Sequence, residues 1–425
     1  MKRCAFGLSF LAAVALLVLA AGAIGAPSGQ VLPPTFCSKV VSSGTGAPDY
    51  LIVSDLALQN PDRVATKMVA AIRFVLAQHG FKAGRYSIGY QSCDDSTAQN
   101  PQGDLAKCAA NAKAYAAALS VIGVIGAWYS ACSGAELPIL GSSKAGPLAL
   151  VSPTNTQPGL THASGGSAPG EPGRYYPTGR RNFARLVAPD DFQGFAAVLL
   201  ARQLRLRSVF VLDDAESYGL DVAVGFKRAA RSLGLRLAGS ASWDVSQSNF
   251  DNLARRVARV HPAAVLLGGF ACPHCGVLIK ELRKRIPTAR LIAPDGFLPI
   301  ESLVKAVGSS ANGMFVIGPG LPPSRFGALG QKLQQKFGAS SAETGGAPVA
   351  GQAVEILLAA LARSDGSRSS VTSHVLADPV HGGILGDFSF DRNGDLTPSS
   401  VTIHRVRRGG ETIDRVIRVP SRLVR

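Results

Sequence analysis

The chain has 425 residues, 46% hydrophobic and 17% charged, which excludes a disordered protein and leaves room for about two domains with substantial cores. It carries a formal net charge of +16, yet its basic residues are scattered through stretches such as RRVARVHP, LRKRIP and HRVRRGG with no interleaved aromatics. That pattern reads as a solvated surface and gives no support for nucleic-acid binding.

The first element in chain order is MKRCAFGLSFLAAVALLVLAAGAIGAPSG, in which Lys2 and Arg3 precede a long apolar run closed by small residues. This is the layout of a cleaved secretory signal peptide, expected to span 1–26, and it places the mature protein outside the cytoplasm, in the periplasm or cell envelope. Cys4 leaves with the signal, so six cysteines remain: Cys37, Cys93, Cys108, Cys132, Cys272 and Cys275. An even number in an oxidising compartment points to disulfides. Cys93 and Cys108 enclose the polar loop DDSTAQNPQGDLAK and are the expected pair; Cys272 and Cys275 form a C-x-x-C.

A Pro/Ser/Gly-rich lead, residues 27–48, reads as a linker. Then the periodicity alternates. YLIVSDLAL is apolar enough for a buried strand, and ATKMVAAIRFVLAQHG has helical spacing ending on Gly80. RYSIGYQ (strand), LAKCAANAKAYAAALS (helix), VIGVIGA (strand) and PLALVSP (strand) follow. THASGGSAPGEPGRYYPTGRR is expected to be an exposed insertion. The rhythm restarts with DDFQGFAAVLLARQLR (helix), SVFVLDD (strand), GLDVAVGFKRAARSLG (helix), LRLAGSASW (strand), NFDNLARRVARVH (helix), AAVLLGGF (strand), GVLIKELRKR (helix) and ARLIAPDG (strand). A further strand, GMFVIGP, the long helix VAGQAVEILLAALARS and a β-rich tail complete the chain. Strand–helix–strand repeats imply parallel strands joined by helical crossovers, in two successive α/β units. A β-rich return after the second unit means the chain passes between lobes more than once, which is the connectivity of a hinge.

The stretches GPLALVSPTNTQPGLT, NFARLVAPDDFQGFAAVLLARQLRLRSVFVLDDAESYGLDVAVGFKRAARSLGLRLAG, NFDNLARRVARVHPAAVLLGG, ARLIAPDGF and GGILGDFSFDRNGD, in that order, resemble the type I periplasmic binding proteins, in particular the branched-chain amino-acid class of ABC-transporter solute receptors. The resemblance covers most of the mature chain. It implies two Rossmann-like lobes with parallel central sheets joined by a multi-segment hinge. The expected boundaries are 49–183 with 318–383 for lobe 1, and 184–317 with 384–425 for lobe 2. It further implies a monomeric receptor without catalysis or cofactor, a small amino acid or related zwitterion as ligand, and a membrane permease as partner.

Site residues follow from the same resemblance. Ser130 in GAWYSACSGA, with Asn155 and Thr156 in SPTNTQP, falls where the family holds the ligand carboxylate. Each loop leaves a strand and enters a helix, where free N–H groups and a positive dipole end face an anion. Tyr218 in ESYG falls at an aromatic wall, and Asp295 in APDG where an acid holds the ligand ammonium. Asp295 is one methylene shorter than the glutamate expected there. Trp128 and Tyr129 replace small residues and are candidates to narrow the pocket or stack on a ring; Phe270, and His274 beside it, are candidates for ligand contact.

FACPHCG also has the look of a redox motif at a helix start, where the dipole lowers a thiol pKa. The neighbouring strands belong to the repeating second lobe and not to a thioredoxin-like sheet, so a structural disulfide is the preferred reading, with thiol–disulfide oxidoreductase and envelope sensor as alternatives. DRNGD lacks the glycine position and closing glutamate of a calcium loop, and no H-E-x-x-H, G-x-S-x-G or Walker motif is present. No metal site is expected.

Overall fold

The computed structural model describes residues 31–33, 36–61, 63–272, 274–337, 346–420 and 424; the expected signal peptide lies outside the described residues. Among the described residues no helix is long and apolar enough to cross a membrane.

The first lobe opens with β1 (Tyr50–Leu56), α1 (Val64–Gln78), β2 (Lys82–Ala83), β3 (Tyr86–Asp94), α2 (Leu105–Ala117), β4 (Val121–Gly126), α3 (Ser130–Gly141), β5 (Ala149–Ser152) and β6 (Phe183–Arg185). Its sheet runs β2-β3-β1-β4-β5-β6, parallel except for the short β2 edge. Every residue of β1 is buried, as a strand covered on both faces requires. Alternate β1 residues serve opposite sides: Ile52 packs with α1, while Leu51 and Val53 pack with α2 and α3. Helix α1 buries Met68, Ile72, Val75 and Leu76 at helical spacing. It ends as expected at Gly80, whose φ of +58° lets Phe81 N–H reach back to Leu76 O at 2.8 Å.

The second lobe contains α4 (Asp190–Gln203), β7 (Ser208–Asp213), α5 (Ser217–Ser232), β8 (Arg236–Ser242), α6 (Asp251–Arg259), β9 (Ala264–Gly268), α7 (Cys275–Arg285), β10 (Arg290–Ala293), α8 (Ile300–Val307) and β11 (Phe315–Gly318). The chain then returns to lobe 1 as α9 (Ala328–Phe337), α10 (Ala347–Arg363), α11 (Arg368–Ala377) and the three-stranded sheet β12 (Val380–Gly383), β13 (Gly386–Phe390), β14 (Leu396–Thr397). It ends in lobe 2 with β15 (Ser400–Arg407) and β16 (Gly410–Arg418), giving the sheet β16-β15-β11-β10-β9-β7-β8 with β15 and β16 antiparallel. Val209 and Val211 pack with α4 and α5, while Phe210 and Leu212 pack with α6, α7 and α8, so this sheet is also buried on both faces.

The lobes are joined by three neighbouring crossings, after β6, after β11 and between β14 and β15. Ala188 N–H bonds Pro319 O at 2.8 Å and the Thr402 hydroxyl bonds Gly320 O at 2.7 Å, so the three run side by side. The last crossing comes later than residue 384, because Ile384, Leu385, Phe388 and Phe390 pack into the first lobe's core.

Two further expectations are corrected. Cys93 and Cys108 are both in disulfides, but not with each other: the bridges are Cys37–Cys93, Cys108–Cys132 and Cys272–Cys275. The described part of the lead segment lies antiparallel to β3, with Val41 paired to Tyr90 and Asp94 N–H on Phe36 O, which sets Cys37 opposite Cys93. Cys108 and Cys132 meet because the first turns of α2 and α3 face each other. The Gly/Pro-rich insertion is also not simply exposed. His162, Glu171, Tyr175 and Tyr176 are buried, and only the stretches between and after them face solvent.

Non-reducing peptide mapping should therefore recover Cys37 joined to Cys93 and Cys108 to Cys132, and a Cys93–Cys108 peptide would contradict this fold. Removing Cys37 and Cys93 together frees a 56-residue loop. On the chain-entropy scale that costs about 4 kcal/mol, to be read as a lowered Tm.

Candidate functional site

Parallel strands deliver the loops at their carboxyl ends to one edge of a sheet, and here the two edges face each other. A cavity of about 510 Å³ lies between them. Lobe 1 supplies Trp128, Tyr129 and Ser130 from the end of β4, and Thr154, Thr156 and Gln157 from the end of β5. Lobe 2 supplies Ser217 and Tyr218 after β7, Phe270 after β9, Asp295 and Gly296 after β10, and Pro319 after β11.

Seven of the nine residues singled out from the sequence line this cavity: Trp128, Tyr129, Ser130, Thr156, Tyr218, Phe270 and Asp295. Asn155 does not. It is buried behind the loop, and its Nδ2 donates to the Ala127 and Trp128 carbonyls at 3.0 and 3.1 Å, tying the β5 loop to the β4 loop. His274, at the start of α7, is also outside the lining. Beside it Cys275 is buried and disulfide-bonded to Cys272.

On the lobe 1 wall Ser130 opens α3, and its hydroxyl accepts the Gln157 N–H at 3.4 Å. Hydroxyls and a helix N-terminus make this wall a place for negative charge. The opposite wall is acidic. The Tyr218 hydroxyl donates to Asp295 Oδ1 and accepts the Gly296 N–H at 2.9 Å. Gln193 Nε2 donates to the same Asp295 oxygen at 2.7 Å and to Asp190 Oδ1 at 3.1 Å, so one amide holds two carboxylates together. Burial raises the Asp295 carboxyl above its usual range, and the Tyr218 and Gln193 bonds pull it back. Asp190 is raised well above it, by burial and then by the nearby Asp295. Tyr218 stacks on Phe270 with ring centroids 4.3 Å apart. Phe270, 42% exposed, leaves a ring edge open to the cleft.

Asp190, Gln193 and Asp221 were not singled out from the sequence. They sit on helices α4 and α5 at spacings of three residues from one another or from Tyr218, and the repeat in PDDFQG (i, i+3) was the available signal.

Behind the lobe 1 wall the fully buried Arg185, at the end of β6, donates to Asp395 Oδ1 at 2.6 Å, to the Gln157 carbonyl at 2.8 Å, to the Asn155 carbonyl at 3.3 Å and to the Thr161 hydroxyl. His162 bridges Asp395 at 3.2 Å and Asp191 of α4 at 2.8 Å. Burial works to lower the His162 pKa, but the two carboxylates outweigh it and the pKa is raised. A second buried group, Asp55, Asp95 and Glu136, lies behind the Trp128 loop, with Asn111 Nδ2 on Asp55 at 2.9 Å. Burial pushes Asp55 up to about 6 and Asp95 up to about 8, and Glu136 well above its ordinary value.

A sequence model of the periplasmic binding protein family matches residues 63–411. An amino acid binding protein of Pseudomonas aeruginosa is 24% identical over 223 residues, 52% of this chain and 59% of that protein. A leucine-, isoleucine-, valine-, threonine- and alanine-binding protein of the same organism is 22% identical over 224 residues, with the same coverage. The match thus spans 59% of the length of these curated relatives. Among solved structures, a leucine-binding protein of Thermotoga maritima superposes with a TM-score of 0.70 at 20% identity, over 87% of this chain and 99% of that one. A solute-binding protein of Rhodopseudomonas palustris in complex with 4-hydroxybenzoate superposes with a TM-score of 0.68 at 15% identity, over 87% and 96%. At these identities the superpositions establish the shared two-lobed fold.

The raised carboxyls and the raised His162 act on stability with one sign. From pH 4 to about 8 the folded protein holds protons that the unfolded chain has released, so stability falls as pH rises. Thermal melts from pH 5 to 8 should show Tm declining, and Asp95→Asn should flatten the decline by about 3 °C.

Proposed function

The chain belongs to the periplasmic binding protein family, and on that premise we propose that it is an exported receptor of an ABC transporter that closes its two lobes on a small amino acid or related zwitterion and passes it, without chemical change, to a membrane permease. The observation that carries this reading is the polarity of the cleft. Ser130, Thr156 and the start of α3 suit a carboxylate on one side, and Asp295 with Tyr218 and Gln193 suits an ammonium on the other. A receptor of this kind gains affinity by burying both ends of its ligand between preformed walls.

A simple aromatic acid, such as that in the Rhodopseudomonas palustris complex, fits this cleft less well. Among the described residues no lysine, arginine or histidine lines the cavity. An acid with no amino group would bring no ammonium for Asp190 and Asp295 to bind.

Mature protein stripped of ligand by unfolding and refolding should gain several degrees of Tm with at least one amino acid, and calorimetry should give one site per chain. Asp295→Asn should weaken that ligand about tenfold or more, and Ser130→Ala by a smaller factor. Failure of every amino acid tested to bind would overturn the proposal.

A further inference from the structure

Of 44 lysines and arginines in the chain, none of those described lines the cleft, whereas three carboxylates do: Asp190, Asp295 and Asp221. None of the three has an ion-pair partner within 4.0 Å among the described residues. Asp190 and Asp295 share Gln193 and form one pole. Asp221 is a separate acid. It sits on α5 one turn beyond Ser217 and Tyr218, on the face those residues turn to the cavity.

Asp221 is 5% exposed, and its one donor among the described residues is the Ser164 hydroxyl, at 3.5 Å. The insertion closes over it from lobe 1, so near that a Cβ added at Gly166 would collide with Asp221 Oδ1. A carboxylate this buried and this poorly bonded is costly unless a cation is supplied to it. Among the described residues no lysine or arginine supplies one, and the nearby His162 is already shared by Asp191 and Asp395. Asp221 faces Asp191, Glu171 and Asp190 as well as His162, and its pKa is raised to about 7, by burial first and then by Asp191. The rest of the lining agrees: Trp128, Tyr129, Tyr218 and Phe270 surround the same space, and aromatic faces attract cations.

We propose that the cleft selects a ligand with a second positively charged nitrogen, received by Asp221 while Asp190 and Asp295 hold the first. This rests on the reading of the cleft as a solute site and narrows its ligand to basic amino acids or compounds of like charge. Because burial raises all three carboxyls, Asp221 to about 7, a cation entering the cleft displaces protons, and affinity rises as pH increases through about 7.

The test is calorimetry on the stripped mature protein with L-lysine, L-arginine, putrescine, L-leucine and 4-hydroxybenzoate, in two buffers of different ionisation enthalpy. Lysine or arginine is expected to bind at least tenfold tighter than leucine, with protons released to the buffer. Asp221→Asn should reduce that ratio about tenfold, whereas Asp295→Asn should weaken lysine and leucine together. If Asp221→Asn does not fold, the ranking and the proton release of the wild-type protein still decide. Putrescine binding as tightly as lysine would support the second cation. Leucine binding as tightly as lysine, or uptake of protons on lysine binding, would overturn this inference and leave the amino-acid receptor standing. Preference for 4-hydroxybenzoate would overturn both.

Discussion

A guanidinium with no exposure to water must be paired, and the pairing of Arg185 organises the junction of the lobes. Its Nε meets Asp395, delivered by the β13–β14 hairpin from near the end of the chain. Its remaining donors hold the carbonyls of Asn155 and Gln157 and the hydroxyl of Thr161. The charge therefore fixes the loop that carries Thr156 into the cleft, and it does so from the point where the chain first leaves lobe 1. Through Asp395 and His162 the same network reaches Asp191 on the first helix of lobe 2. A pivot made of buried charge resists sliding more than a greasy one would, because each member loses a partner if it moves. Rotation about the three crossings remains available, as a two-lobed receptor needs.

The cleft itself divides by lobe. Lobe 1 offers hydroxyls and the beginning of a helix; lobe 2 offers carboxylates held by tyrosine and glutamine. Each side is held by the protein's own bonds: Asp295 is bound by Tyr218 and Gln193, and Ser130 by the Gln157 N–H. What is left open is the space between, walled by aromatic rings from both lobes. A basic protein with no described lysine or arginine lining this space has separated the charge it shows to solvent from the charge it offers its ligand.

The fold was legible because it rests on patterns that repeat. Runs such as VIGVIG and SVFVLD are short and rich in β-branched residues, which suits strands buried on both faces, and the helices between them carry their apolar residues at regular spacing. Most of the cleft was legible for the same reason: once strand ends are located, the residues just beyond them are the ones presented at the sheet edge. Partnerships between distant segments were not legible. Nothing local in TFCSKV tells that Cys37 lies against β3, so proximity in sequence favoured Cys108 instead. Asn155 sits in the right loop, but whether it points into the cleft or back at Trp128 is decided by one rotation of the chain. Asp221 was hidden because an acid in the middle of an amphipathic helix usually faces water; only the folding of the insertion over α5 buries it.

The return of α10 to pack on α1 has a consequence for how the protein is made. A ribosome delivers the first sheet early, along with the cysteines that bridge Cys37 to Cys93 and Cys108 to Cys132. Yet one flank of that sheet is covered only by α1 until residues 347–363 are synthesised, and the second sheet lacks two strands until β15 and β16 arrive. Neither half can finish alone, so a chain that stops before α10 would leave both halves with greasy surface uncovered and in need of a chaperone.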